Sequence, residues 1–136
     1  MISLIIGIII ICIAGISKAI MDKLQFHYHK SIFKQNPPKY NQQFWDPALS
    51  WQNKYKENSM TEPKFKGSTT FFVFVTDAWH LSQTVLLSSL FIGIALTAYN
   101  SETPLELIGK IIILRCFFGA AFELFFRKIL AAKESF

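Results

Sequence analysis

A chain of 136 residues with 51% hydrophobic and only 17% charged side chains forms a single unit, too short for a membrane domain plus an independent soluble domain of ordinary size. The charge deficit, against roughly 25% in soluble domains, falls in three apolar blocks at 2–16, 71–99 and 105–130. This excludes an ordinary soluble fold and predicts an all-α membrane protein with three transmembrane helices, joined by an amphipathic, interfacial cytoplasmic loop between the first two. The net charge of +5 would suit nucleic acid. Its basic residues, however, sit mostly between two membrane blocks, where anionic headgroups account for them, and membrane lipids rather than nucleic acid are the expected partners.

The first span is expected over residues 2–21, about 30 Å of helix. Its many isoleucines are β-branched, yet in lipid the unpaired backbone forces a helix. Gly15 and Ala19 form a small-xxx-small pair suited to close helix contact. Lys18, Asp22 and Lys23 mark the interface. Ile9, Ile10 and Ile11 before Cys12 do not fit a lipoprotein signal, and with no basic residue ahead of the apolar run, cleavage as a signal peptide is not expected. Cys12 and Cys116 both lie in apolar blocks and read as reduced packing residues.

Residues 22–70 are polar but rich in aromatics, interleaved with lysines in the manner of rings at headgroup level with snorkelling cations. Pro37 and Pro38 interrupt any continuation of the first helix. Asp46 as N-cap and Pro47 at the first helical position predict a short surface helix over 48–55. The second span lies within 71–99, the stretch around which the chain is expected to be organised. Either helix or a re-entrant segment fits 71–75. On a helix Asp77, His80, Thr84 and Ser88 share one face, and Ser89 and Gly93 give a second small-xxx-small pair. Residues 100–103 form a tight turn. Thr103, Pro104 and Glu106 then open the third span, expected over 104–130, with a capping box. Arg115 falls about 16 Å along that helix, near the bilayer midplane and the most expensive site for a charge. Arg115, Gly119 and Glu123 share a stripe that would face the stripe of the second span.

Eight lysines occupy residues 22–70, none the turn 100–103. The positive-inside rule therefore puts the N-terminus outside and the loop and C-terminus in the cytoplasm. That topology brings Asp22, His27, His29, Asp77, His80 and Glu123 to one membrane face. As a polar cluster they would offer a general acid and base. Asp77, His80, His27 and His29 would be the ligands of a divalent metal. No other cofactor is expected: bis-His haem would need His27 or His29 opposite His80, and no phosphate loop, nucleophile elbow or Cys-x-x-Cys occurs.

The runs SKAIMDKLQFHYHKSIF, FWDPALSWQNKYK and PKFKGSTTFFVFVTDAWHLSQ resemble uncharacterised short polytopic membrane proteins of Bacteroidota-type bacteria. The resemblance covers about half the chain, implies a bacterial inner membrane and carries no activity. Three functions follow from the residues. The first is a non-enzymatic accessory or assembly subunit of a larger membrane complex, with a membrane-protein partner or a homo-oligomer drawn in by Arg115. The second is a membrane-interface metal-binding protein or enzyme acting on lipid headgroups. The third is an oligomeric proton or ion pathway along the two polar stripes.

Overall fold

The computed structural model describes residues 2–35, 42–57 and 59–132. The Pro37–Pro38 break, Lys39, Tyr40 and Lys133 lie outside them. The chain forms α1 (Ile2–Phe26), two short helices α2 (Ile32–Gln35) and α3 (Gln42–Trp45), and the long α4 (Ala78–Tyr99) and α5 (Pro104–Leu124). Single 3-10 turns lie at Tyr28–Lys30, Ser50–Asn53 and Val73–Val75, and a π turn at Phe125–Ile129. Among the described residues no strand forms, only two isolated bridges.

Helix α1, rather than the second span, is the hub: α4 and α5 both pack on it and scarcely on each other. Gly7 lies against Thr97, Ile11 against Gly93 and Gln25 against Trp79, so α1 and α4 run antiparallel. Cys12 meets Phe117, Gly15 meets Phe118 and Ala121, and Lys23 meets Phe126, so α5 runs parallel to α1. Small residues make these approaches possible. A Cβ on Gly15 would stand 2.5 Å from the Phe118 carbonyl oxygen, and Ala14 and Ala19 are wholly buried.

This packing overturns the expectation that the two polar stripes face one another. The face of α4 turned inward carries Ala78, Ser82, Ser89, Gly93 and Thr97, while Thr84 and Ser88 are exposed. On α5 the buried residues are Leu114 and Ala121, with Arg115 and Glu123 outside. Backbones approach where side chains are small, and that requirement selected the faces. The outer surfaces of the three long helices display Ile5, Ile9, Phe91, Ile92, Ile108 and Ile112, all more than half exposed.

By length and composition α1 and α4 can each cross a membrane. Helix α5 is interrupted by Glu106, Lys110, Arg115 and Glu123, and the helical stretch expected to reach 130 gives way to the π turn. From there the chain folds back, and the bridge Ser31 to Ala131 joins it to the start of α2 through Ile32 N–H to Leu130 (3.2 Å) and Ala132 N–H to Lys30 (2.9 Å). The second long helix begins at Ala78, later than expected, because Asp77 is its N-cap and accepts the His80 N–H. Residues 71–75 are consequently turns and one 3-10 turn rather than an extension of α4. The surface helix expected over 48–55 shortens to the 3-10 turn Ser50–Asn53. Asp46 still accepts the Ala48 N–H at 2.9 Å, so the capping residue is used but no full helix follows.

The main hydrophobic core sits at the loop end, where Leu24, Tyr28, Phe33, Ala78 and Leu130 are buried with Trp45, Trp79 and Phe126 around them. Phe33 and Trp45 stack at 4.8 Å between centroids. Part of the aromatic set assigned to headgroup level is therefore core, whereas Phe26, Phe65 and Phe71 remain exposed. This core builds a small platform on the end of the three helices and holds the site described next.

Candidate functional site

At the mouth of the platform, Asp77 ends the irregular 69–76 segment and starts α4. Its side chain is 4% exposed and meets the His80 N–H at 2.8 Å, His80 Nδ1 at 2.8 Å, Lys54 Nζ at 3.0 Å and the Thr76 hydroxyl at 3.4 Å. Lys54 is brought there by the loop. Asn53 donates to the Thr76 carbonyl at 2.8 Å, and Ser68 donates to the Lys54 carbonyl at 2.6 Å. Burial alone would raise the Asp77 carboxyl, but the hydrogen bonds from His80 and Lys54 outweigh it and hold the group below the usual carboxylate range. The pair fixes His80 with Nδ1 on the carboxylate, which leaves Nε2 as the ring nitrogen with no hydrogen-bond partner among the described residues.

A cavity of about 280 Å³ opens beside this cluster, lined by Lys54, Asp77 and His80 with Phe44, Trp45 and Trp79 as aromatic walls. Trp79 is oriented by its indole N–H to Gln25 at 3.2 Å. Nearby, burial and then the Asp46 carboxylate push the Tyr28 phenol up. The Tyr28 hydroxyl itself finds no hydrogen-bond geometry with any described group, so Asp46 acts on it as a charge. Chemically, a carboxylate-anchored imidazole over an aromatic pocket can accept a proton, and Lys54 can stabilise an anion.

The remaining predicted residues share this end of the bundle without joining the cluster. Asp22 pairs with Lys18 one turn earlier on α1. His27 sits edge-on to Phe126 at 5.4 Å, and His29 lies against Tyr28 at 6.0 Å. Glu123 pairs with Arg127 at 2.5 Å on the exposed side of α5. Among the described residues no three His, Cys, Asp or Glu side chains come close enough to hold a metal ion. Asp77 and His80 are thus joined by neither His27 nor His29.

No family model, curated protein or solved structure matches the chain. Its functional reading accordingly rests on its own residues.

Sequence reasoning placed Lys54 among the general lysine belt and missed its role. The available signal was local: Thr76-Asp77-x-x-His80 is an N-cap followed by a ring at N3, which puts Asp77 outside the helix and free to take a partner from the loop. Arg115 forms the second notable feature. It is exposed on α5, lies over Phe118 at 5.7 Å and pairs with no carboxylate among the described residues. Its guanidinium folds back toward Gly119, where an added Cβ would meet Nη1 at 3.1 Å. Lys110 is unlike it, since it reaches Glu106 at 2.6 Å and the Asn100 carbonyl at 2.7 Å.

Proposed function

We propose that this chain is a small integral membrane protein serving as a non-enzymatic accessory or assembly subunit of a larger membrane complex. α1, α4 and α5 span the bilayer as three crossings, with the N-terminus outside and the lysine-rich platform and C-terminus in the cytoplasm of a bacterial cell, at the inner membrane. The eight lysines of residues 22–70 support that orientation, as does the antiparallel and parallel order of the helices around α1. The single observation that carries the accessory role is Arg115: a cation halfway along an otherwise apolar stretch of α5, exposed and without a counterion among the described residues. A charge at that depth is expensive unless a neighbour covers it. Native mass spectrometry from mild detergent is expected to show one non-identical subunit in fixed ratio, and Arg115→Leu is expected to reduce its recovery about tenfold, the size of one interhelical polar contact. Finding only this chain, alone or with itself, would overturn the reading.

A second reading is favoured by the Asp77–His80 pair beside its aromatic cavity. On this reading the platform works at headgroup level, with His80 taking a proton from a polar lipid substrate. Vesicles carrying a panel of headgroups are expected to show turnover that His80→Ala lowers about a hundredfold, as for loss of a general base. No turnover of any headgroup by the intact chain would exclude it.

A further inference from the structure

Arg115 does not stand on a flat helix face. It lies at the edge of a groove of about 270 Å³ whose other walls are Ile11, Leu90, Ile94, Ile111, Leu114 and Phe118, so all three long helices contribute and every neighbour is apolar. Such a groove accepts hydrocarbon readily, but one of its groups is a permanent cation. Its occupant must therefore be apolar along its length and anionic at one point.

Among the described residues the chain's own carboxylates do not meet that need. Asp22, Asp77, Glu106 and Glu123 each hold a basic partner at an end of a long helix. On α5 itself Glu106 and Glu123 lie about 14 and about 12 Å along the axis from Arg115. A second copy in the same membrane orientation carries its carboxylates at those same levels, and an inverted copy carries them at the mirrored ends. A phospholipid phosphate is no better placed, since Arg115 sits about 16 Å beyond the start of α5, near the centre of a core about 30 Å thick.

We infer that the groove between α4 and α5 receives a transmembrane helix of a different protein, and that this helix carries an aspartate or glutamate near its middle to pair with Arg115. This inference rests on the accessory-subunit reading and specifies the partner's chemistry. In the pair, two groups that are each costly in hydrocarbon neutralise one another. Leucine-like side chains above and below the acid fill the groove, and the pairing fixes the depth and rotation of the two helices.

The test uses the full chain in phosphatidylcholine vesicles, with energy transfer to synthetic polyleucine transmembrane peptides. One peptide carries a single central Asp, one has that Asp moved two turns toward an end, and one carries Leu throughout. The central-Asp peptide is expected to associate about tenfold more tightly than the other two. Arg115→Leu is expected to erase that preference and Arg115→Lys to keep most of it. Equal binding of the three peptides overturns the inference, as does a preference that survives Arg115→Leu. Arg115-dependent transfer between copies of the chain would make the occupant a second copy and overturn it too. Loss of the preference when oleate is added would give the groove to a fatty acid, with the same consequence. Its failure is separable from failure of the accessory reading, because native complexes containing a different subunit alongside indifferent peptides reject only the buried acid.

Discussion

Gly15→Ala is expected to destabilise the protein by about 2–3 kcal/mol, the upper part of the range for overfilling a tightly packed contact. The added methyl would lie 2.5 Å from the Phe118 carbonyl oxygen, 3.1 Å from the Ala121 Cβ and 3.2 Å from the Phe122 nitrogen. Two of those three atoms are backbone, so no rotamer change relieves the clash, and α5 must move away from α1 as a body. Two other glycines make an internal series. A methyl on Gly93 meets side-chain atoms alone, Ile11 Cδ1 at 2.9 Å and Cγ1 at 3.0 Å with Ile10 Cγ2 at 3.7 Å, which can yield more readily than backbone, and one on Gly109 meets nothing within 4 Å. Gly93→Ala should therefore cost less than Gly15→Ala, and Gly109→Ala should be neutral or slightly stabilising, since alanine is the better helix former by about 1 kcal/mol. Unfolding in mixed detergent micelles checks the order. If Gly15→Ala proved no worse than Gly109→Ala, the close packing of α5 on α1 would be wrong.

The same glycines show what a sequence does and does not disclose. The long helices were legible because an apolar block has few options: its backbone must bond to itself wherever water is absent. The turn before α5 was legible because its chemistry is local. Thr103 accepts the Glu106 N–H at 3.2 Å, as its spacing predicts, although Glu106 returns its own bond to the Glu102 N–H at 2.9 Å. The helix faces were misjudged because polarity was taken to choose them. Ser82, Ser89, Gly93 and Thr97 face α1 because they are short, and Thr84 and Ser88 are left outside. A hydroxyl in a helix satisfies itself on the preceding turn, as Thr84 does on the His80 carbonyl and Thr97 on the Gly93 carbonyl. Such residues then demand no partner across the interface. The loop end was the least legible part. Lys54 reaches Asp77 across 23 positions, and the return of Leu130 to α2 depends on a π turn that no spacing in the sequence announces.

Asp77→Ala is expected to lower stability by about 3–5 kcal/mol and to free the loop from α4. Its three closest contacts go at once: the α4 cap at 2.8 Å, the Lys54 pair at 3.0 Å and the His80 pair at 2.8 Å. Loss of a cap alone costs about 1 kcal/mol. The larger share comes from stranding Lys54, 20% exposed, opposite no anion. Asp77→Asn separates the two contributions, because Asn caps a helix about as well as Asp but carries no charge. It should keep α4's start and lose the larger part of the stability that Asp77→Ala loses, the cap's share of about 1 kcal/mol being retained. Replacing Lys54 by Met first should make Asp77→Ala milder, since no stranded cation then remains. The acid limb follows from the depressed Asp77 carboxyl. Its ordinary value is 3.8, and the folded value lies below that. The unfolded chain therefore takes up the proton at a pH where the folded chain still refuses it. The stabilisation is fully present above about pH 5, shrinks as pH falls through the ordinary value, and is gone below the folded value. Thermal unfolding of the wild type should thus weaken from about pH 5 downward, with trypsin cutting the 54–70 loop sooner, and Asp77→Asn should flatten that limb. An unchanged acid slope in Asp77→Asn would show that another carboxylate sets it and that Asp77 does not anchor the platform.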